Sequence, residues 1–158
     1  MSSNRLAAVV ATAFLCTFTA CGGAATQSAS PARPWTAANT VTPADLVDEL
    51  SGSTGTQKPV IVYTGPVFLY RQGHIPGASL HGPASTEAGL SELKMWARGL
   101  QPTSDVVIYC GCCPLNDCPN IRPSFEALRG MGFRRLRVLM LPNNFSSDWV
   151  EKGYPVER

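Results

Sequence analysis

Along most of the chain the apolar positions fall into two rhythms: short unbroken runs, and spaced sets recurring every three or four residues. Val106, Val107, Ile108 and Tyr109 form an unbroken β-branched and aromatic run, the pattern of a strand buried on both faces of a parallel sheet. Pro59 to Tyr63 and Arg137 to Leu141 read the same way, and Ala78 to His81 is a short further strand. The helical rhythm appears at Leu46 and Leu50, at Leu90, Leu93, Ala97 and Leu100, and at Ile121, Phe125 and Leu128. Thr42 as N-cap with Pro43 at the first helical position opens the earliest helix, and Gly130 and Gly132 stand where the helix after Ile121 should stop. A short helix is predicted over Val67 to Arg71, and Asn143 to Ser147 should cap a closing helix that runs through Trp149. Strand and helix alternate, which predicts a mostly parallel central sheet with helices on both faces, an α/β fold in three layers.

The N-terminus breaks both rhythms. Arg5 is followed by an apolar run from Leu6 to Phe18, then Thr19-Ala20-Cys21-Gly22-Gly23. The run is too short to span a bilayer and suits the apolar core of a secretory signal peptide, expected over residues 1–20. The small residues before Cys21 resemble the lipobox of bacterial lipoproteins, which makes Cys21 the expected lipid-bearing first residue of the mature chain. An ordinary signal peptide cut near Ala20 or Ala25 is the alternative. After Cys21, residues 22–38 are mostly Ala, Ser, Thr, Gln, Gly and Pro without periodicity, so residues 21–38 are a flexible linker in which the role of Trp35 stays open. Residues 39–158 remain for one domain, enough to close a single core. Discarding Arg5 with the leader leaves 12 basic against 11 acidic side chains, so no strong field points to nucleic acid as a partner. Internal repeats are absent.

The chemistry concentrates in Tyr109-Cys110-Gly111-Cys112-Cys113-Pro114-Leu115-Asn116-Asp117-Cys118-Pro119-Asn120-Ile121. This places a cysteine at the carboxyl end of a buried strand, a loop behind it, and then a helix. Ligands of open α/β sheets bind at that end, and a helix N-terminus aims free N–H groups at an anion there. Cys110 is therefore expected to carry a lowered pKa and to act as a nucleophilic thiolate.

In this segment the chain resembles the rhodanese-like family, whose persulfide-forming cysteine follows a hydrophobic strand and precedes a helix ending in Gly-Phe, here Gly132-Phe133. Gly73-His74-Ile75-Pro76-Gly77-Ala78 upstream, and Trp149 with Gly153-Tyr154-Pro155-Val156 downstream, are two further marks in the family's order. The resemblance implies a rhodanese-like fold and a sulfurtransferase that carries sulfane sulfur as a Cys110 persulfide. The implied partners are a small sulfur-containing anion or thiol as donor and a second as acceptor, without a cofactor. Gly111, Cys112, Cys113 and Arg122 are the expected substrate-binding residues of the loop and helix start. His74 is expected in a structural turn with its ring bonded to backbone, and His81 facing solvent.

Several positions depart from the family. The loop is longer than usual, Tyr63-Thr64-Gly65 stands where Asp-Val-Arg is common, and Leu69 replaces an acidic residue. The loop also holds three further thiols, Cys112, Cys113 and Cys118, which admit three readings. One is a soft-metal site, disfavoured because a single loop is poor at building a tetrahedron, so no metal is expected. Another is a disulfide of Cys118 with Cys112 or Cys113. The third is a resolving thiol that attacks a persulfide on Cys110. A non-enzymatic thiol- or soft-metal-binding module is the alternative function. Phosphatase or arsenate-reductase chemistry ranks last, because it needs Arg at the sixth position after the cysteine and Asn116 stands there. The expected whole is an exported, monomeric lipoprotein, membrane-anchored and facing the periplasm or cell exterior.

Overall fold

The interior of the sheet follows from one alternation. In the strand Asp105–Tyr109, Val106 and Ile108 enter one core while Val107 and Tyr109 enter the other, and all four are buried. A strand that must be apolar on both faces reads as an unbroken run, and it can lie only at the centre of a layered fold. A computed structural model describes residues 32–158 apart from 53, 54 and 56. The signal peptide expected over residues 1–20 and the expected lipid-bearing Cys21 lie outside the described residues.

The strands are β1 (Thr40–Val41), β2 (Val60–Tyr63), β3 (Ser79–Leu80), β4 (Asp105–Tyr109) and β5 (Arg135–Leu139). They form one all-parallel sheet in the order β1-β5-β4-β2-β3. The helices are α1 (Pro43–Ser51), α2 (Val67–Gln72), α3 (Glu87–Ala97) and α4 (Ile121–Gly130). On one face Leu93 and Ala97 of α3 and Ile121, Phe125 and Leu128 of α4 pack on Val62, Val106, Ile108, Leu136 and Val138. On the other, Leu46 of α1, Ile75 and Trp149 pack on Ile61, Val107, Tyr109 and Leu139. The fold is a three-layer α/β fold, as the alternation of patterns predicts.

Local signals explain the helix ends. Thr42 Oγ1 accepts from the N–H of Asp45 and caps α1, while Gly52 closes it in the left-handed region at φ 81°. Thr86 caps α3 in the same way through Gly89 N–H. Three features depart from the pattern-based expectation. β1 pairs with β5 although two residues are too few to show a periodicity. β5 starts two residues earlier than its apolar run, because Arg135 and Arg137 lie on the half-open face, where Arg137 pairs with Glu49 at 2.8 Å and with Asp105 at 3.0 Å. The closing segment Ser146–Val150 is a π-helical turn rather than an α-helix.

Trp35 is buried and meets Phe125 edge-on, with ring centroids 5.7 Å apart. The packed chain thus reaches back at least to Trp35, four residues before the domain boundary expected at residue 39. Among the described residues no helix is long and apolar enough to cross a membrane.

Candidate functional site

The direction of chain travel reverses between β2 and β4. From β2 the connection leads to β3 on one side, and from β4 it leads to β5 on the other. The carboxyl ends of these two neighbours therefore diverge and leave a crevice, the place where open α/β sheets bind ligands. Tyr63 and Cys110, the residue ending β2 and the one following β4, line a cleft of about 340 Å³ there, with Gly111, Cys112, Phe145 and Val156. Gln72, Asn144, Ser146 and Arg158 supply its polar wall.

The loop from Gly111 to Pro119 folds back beneath Cys110. Gly111 takes φ +73°, and a Cβ there would stand 2.5 Å from Cβ of Phe145, so glycine is required both by conformation and by space. Its carbonyl accepts from Phe145 N–H at 3.0 Å, tying the loop to the closing turn. Leu115 N–H donates to the Leu141 carbonyl at 3.0 Å, and a 3₁₀ turn at Leu115–Asp117 then delivers Cys118 to the start of α4.

This path gathers the sulfurs. Cys110 Sγ lies 3.2 Å from Cys112 Sγ, which lies 3.1 Å from Cys113 Sγ and 3.9 Å from Cys118 Sγ. The four are separate thiols in this structure, with Cys110 and Cys118 buried and Cys112 and Cys113 half-buried. Cys112 and Cys118, which the sequence suggests as disulfide or resolving partners, are thus neighbours of Cys110 and of each other.

The negative charge of the cluster settles elsewhere than expected. Cys118 is lowered to about 6, first by its interaction with the Cys110 side chain, and further because the backbone N–H groups of Asn120 and Ile121 at the start of α4 point at its sulfur; burial opposes both. Cys110 is pushed up: it interacts with the Cys118 side chain, it is buried, the Cys118 charge lies beside it, and its S–H donates to Cys112 Sγ at 3.2 Å, while only the N–H of Cys112 pulls the other way. Burial foremost, and then Cys112 and Cys118, push Cys113 up as well. The helix N-terminus does stabilise a thiolate. It reaches the sulfur nearest to it in sequence, Cys118, and not the one at the strand end.

Asn120, only 2 % exposed, is the site residue that sequence reasoning passes over. Its Nδ2 donates to Cys110 Sγ at 3.3 Å, while its Oδ1 accepts from the Ser85 N–H at 2.9 Å. The second bond fixes which end of the carboxamide meets sulfur. Tyr63 is the other omission: its pKa is raised by burial and then by Cys110, so it stays a phenol, and it donates to the Pro66 carbonyl at 3.3 Å. A Cβ on Gly65 would come within 2.5 Å of Cys110 Sγ, so the chain after β2 packs directly on the sulfur.

Arg122, expected to hold an anionic donor, sends Nη1 to the Ala32 carbonyl at 3.1 Å and to Glu126 at 3.4 Å. The basic residue lining the cleft is Arg158, whose Nε donates to the Gln72 carbonyl at 3.2 Å. His74 sits in its turn with Nδ1 3.0 Å from the Tyr70 carbonyl and its ring stacked on Tyr70. His81 is not simply solvent-facing: it stacks on Trp96 with centroids 4.4 Å apart and lies 3.1 Å from Glu92. Neither histidine lines the cleft at Cys110.

Sheet and loop together define an all-parallel α/β domain with a thiol cluster at its topological switch point. No sequence-family model matches the chain, and no curated protein sequence does. Solved structures give the particular fold. The chain is similar to the rhodanese-like domain of the Alr3790 protein from Anabaena, with a TM-score of 0.55 at 21 % identity over 75 % of this chain and 78 % of that one. It is also similar to the BH2092 protein from Bacillus halodurans, with a TM-score of 0.58 at 18 % identity over 76 % and 77 % of the two chains. A full-length protein from Lactobacillus plantarum gives 0.54 at 16 % identity over 75 % and 87 %. The fold of this chain is rhodanese-like.

Proposed function

We propose that the protein is a rhodanese-like sulfurtransferase of the cell envelope, carrying sulfane sulfur as a persulfide on Cys110. The observation that carries this reading is the position of Cys110 Sγ: at the switch-point end of β4, lining the cleft, with the Asn120 amide donating to it. Thiolate formation at Cys110 is coupled to its neighbour. Cys110 donates its S–H to Cys112 Sγ at 3.2 Å, and Cys118 Sγ lies 3.9 Å beyond Cys112, so the proton passes into the sulfur cluster as Cys110 attacks the donor, a general-base role for a neighbouring sulfur. In that step the Cys110–sulfur bond forms, the bond between sulfane sulfur and the rest of the donor breaks, and the leaving anion takes the electron pair. The Cys112 N–H and Asn120 Nδ2 stabilise negative charge on Cys110 Sγ as it becomes the nucleophile. An acceptor thiol or other nucleophile then removes the outer sulfur and restores Cys110. Arg158, Gln72, Asn144 and Ser146 suit the cleft to a small sulfur-containing anion.

The leader supports export and lipid attachment at Cys21 on the periplasmic or outer side of a membrane, and the near-balanced charge of the rest supports the absence of a nucleic-acid partner; we take the anchored protein to be a monomer. To test the chemistry, reduced metal-free protein is incubated with a sulfane donor and either cyanide or a thiol, and intact mass is followed. The parent should gain one sulfur atom on the peptide bearing Cys110 and pass it on. Cys110→Ser, which nearly keeps the volume, should do neither while giving an unchanged circular dichroism spectrum. Transfer by a folded Cys110→Ser protein would move the chemistry to another thiol.

A further inference from the structure

We propose that Cys110, Cys112 and Cys118 form a three-coordinate site for a monovalent thiophilic metal ion, copper(I). The inference goes beyond sulfur transfer and does not rest on it. It starts from the positions of the sulfurs, each within 4.8 Å of the other two. A planar unit with metal–sulfur bonds of ~2.3 Å has sulfur–sulfur edges of ~4 Å. The edges from Cys112 are 3.2 Å to Cys110 and 3.9 Å to Cys118, so the triangle already has nearly the right size. Cys113 stands outside it, next to Cys112 at 3.1 Å. The objection that one loop cannot build a tetrahedron therefore holds, and it holds against structural zinc, which takes four ligands. A triangle of sulfur alone suits a soft d¹⁰ cation that accepts three.

The surroundings suit the charge such a unit would have. Three thiolates and one monovalent cation leave two negative charges, and the donors that face them are in place. Asn120 Nδ2 reaches Cys110 at 3.3 Å and Cys112 at 4.0 Å, the Cys112 N–H points at Cys110, and the Asn120 and Ile121 N–H groups point at Cys118. Among the described residues no histidine ring and no carboxylate joins the three sulfurs, so nothing hard dilutes the donor set. Access and closure are divided between the faces of the triangle. Cys110 and Cys112 open on the cleft, while on the inner side a residual cavity of about 10 Å³ is bounded by Cys110, Gly111, Cys113 and Cys118 and closed by Leu115, Ile121, Leu139 and Leu141. That space holds one water at most, and its walls give a water few partners. On binding, the thiol protons leave to the buffer and copper stays in the +1 state. An ion there occupies Cys110, so metal binding and persulfide formation exclude each other.

The full chain, reduced and kept anaerobic, is titrated with copper(I) supplied as its acetonitrile complex against a chromogenic copper(I) chelator, with zinc(II) run in parallel. One copper(I) per chain should be retained, with an X-ray absorption spectrum showing three sulfur neighbours. Cys112→Ser and Cys118→Ser should each weaken retention by about 100-fold or more, at least what loss of an outer-shell partner costs elsewhere, while Cys113→Ser should leave it unchanged. Copper(I) should also block sulfur transfer in proportion to occupancy. Complete loss of copper to the chelator, an equal need for Cys113, or preferred zinc in a four-sulfur shell would each overturn the site. A protein that transfers sulfur but holds no copper sinks this proposal alone, and one that holds copper but never forms a persulfide sinks the sulfurtransferase reading alone.

Discussion

Which sulfur carries the charge decides how this site behaves with pH. In the unfolded chain every cysteine titrates near the ordinary value of 9.0, whereas folded Cys118 titrates at about 6. Between those values the unfolded state binds the extra proton, so stability rises with pH across that window, and below about 6 the contribution is gone. Above 9.0 the sign reverses, because Cys110 and Cys113 are pushed up and keep protons that the unfolded chain has lost. Denaturant unfolding of reduced, metal-free protein from about pH 6 to about pH 10 should show a maximum near the unfolded thiol value. In Cys118→Ser the rising limb should disappear. A rise that survives in that variant would place the thiolate elsewhere. The sequence makes this partly legible, since Cys118 stands three residues before Ile121 and Cys110 eleven. What it hides is the return of Asn120 to Cys110, because a polar residue before a helix reads as an ordinary cap. In fact the Asn120 side chain makes no cap bond, and its two ends go to sulfur and to Ser85.

At the level of elements, strand β4, the loop and helix α4 can be read directly from the change of period at Ile121, since burial on both faces and on one stripe leave different spacings. β1 cannot be read, because its partner β5 supplies the reason for its conformation. The π-helical turn at Ser146–Val150 is similarly hidden, being set by contacts: Asp148 accepts from the N–H groups of Asn143 and Asn144 at 2.7 Å and 3.1 Å, and Trp149 Nε1 donates to the Pro155 carbonyl at 2.8 Å. That turn presents Phe145 to Gly111, which makes the loop and the closing segment one mechanical unit. Gly111→Ala should then cost about 2 to 4 kcal/mol, left-handed strain and overpacking acting together. Chemical denaturation measures it. A loss under about 0.5 kcal/mol, the range of ordinary surface changes, would mean that the loop does not bear on Phe145 as described.

For the whole molecule, the buried Trp35 matters because it carries the packed domain upstream of the first strand. A tryptophan in a stretch of small and polar residues has no periodic neighbours to reveal its burial, and its partner Phe125 is ninety residues away. Upstream, the proposed anchoring rests on Cys21 alone, since residues 22–34 have too little apolar area to hold a bilayer. Cys21→Ser should therefore move the protein from the membrane to the soluble fraction after cell lysis, and equal membrane fractionation of the two forms would refute lipid attachment. Anchoring would also crowd many copies into a plane, and there the sheet order has a further bearing. The outermost strands, β1 and β3, are two residues long each, while the long apolar strands β2, β4 and β5 are enclosed between them. A neighbouring chain thus finds almost no free backbone ladder to extend, and the domain should tolerate high surface density without growing into fibrils by strand addition.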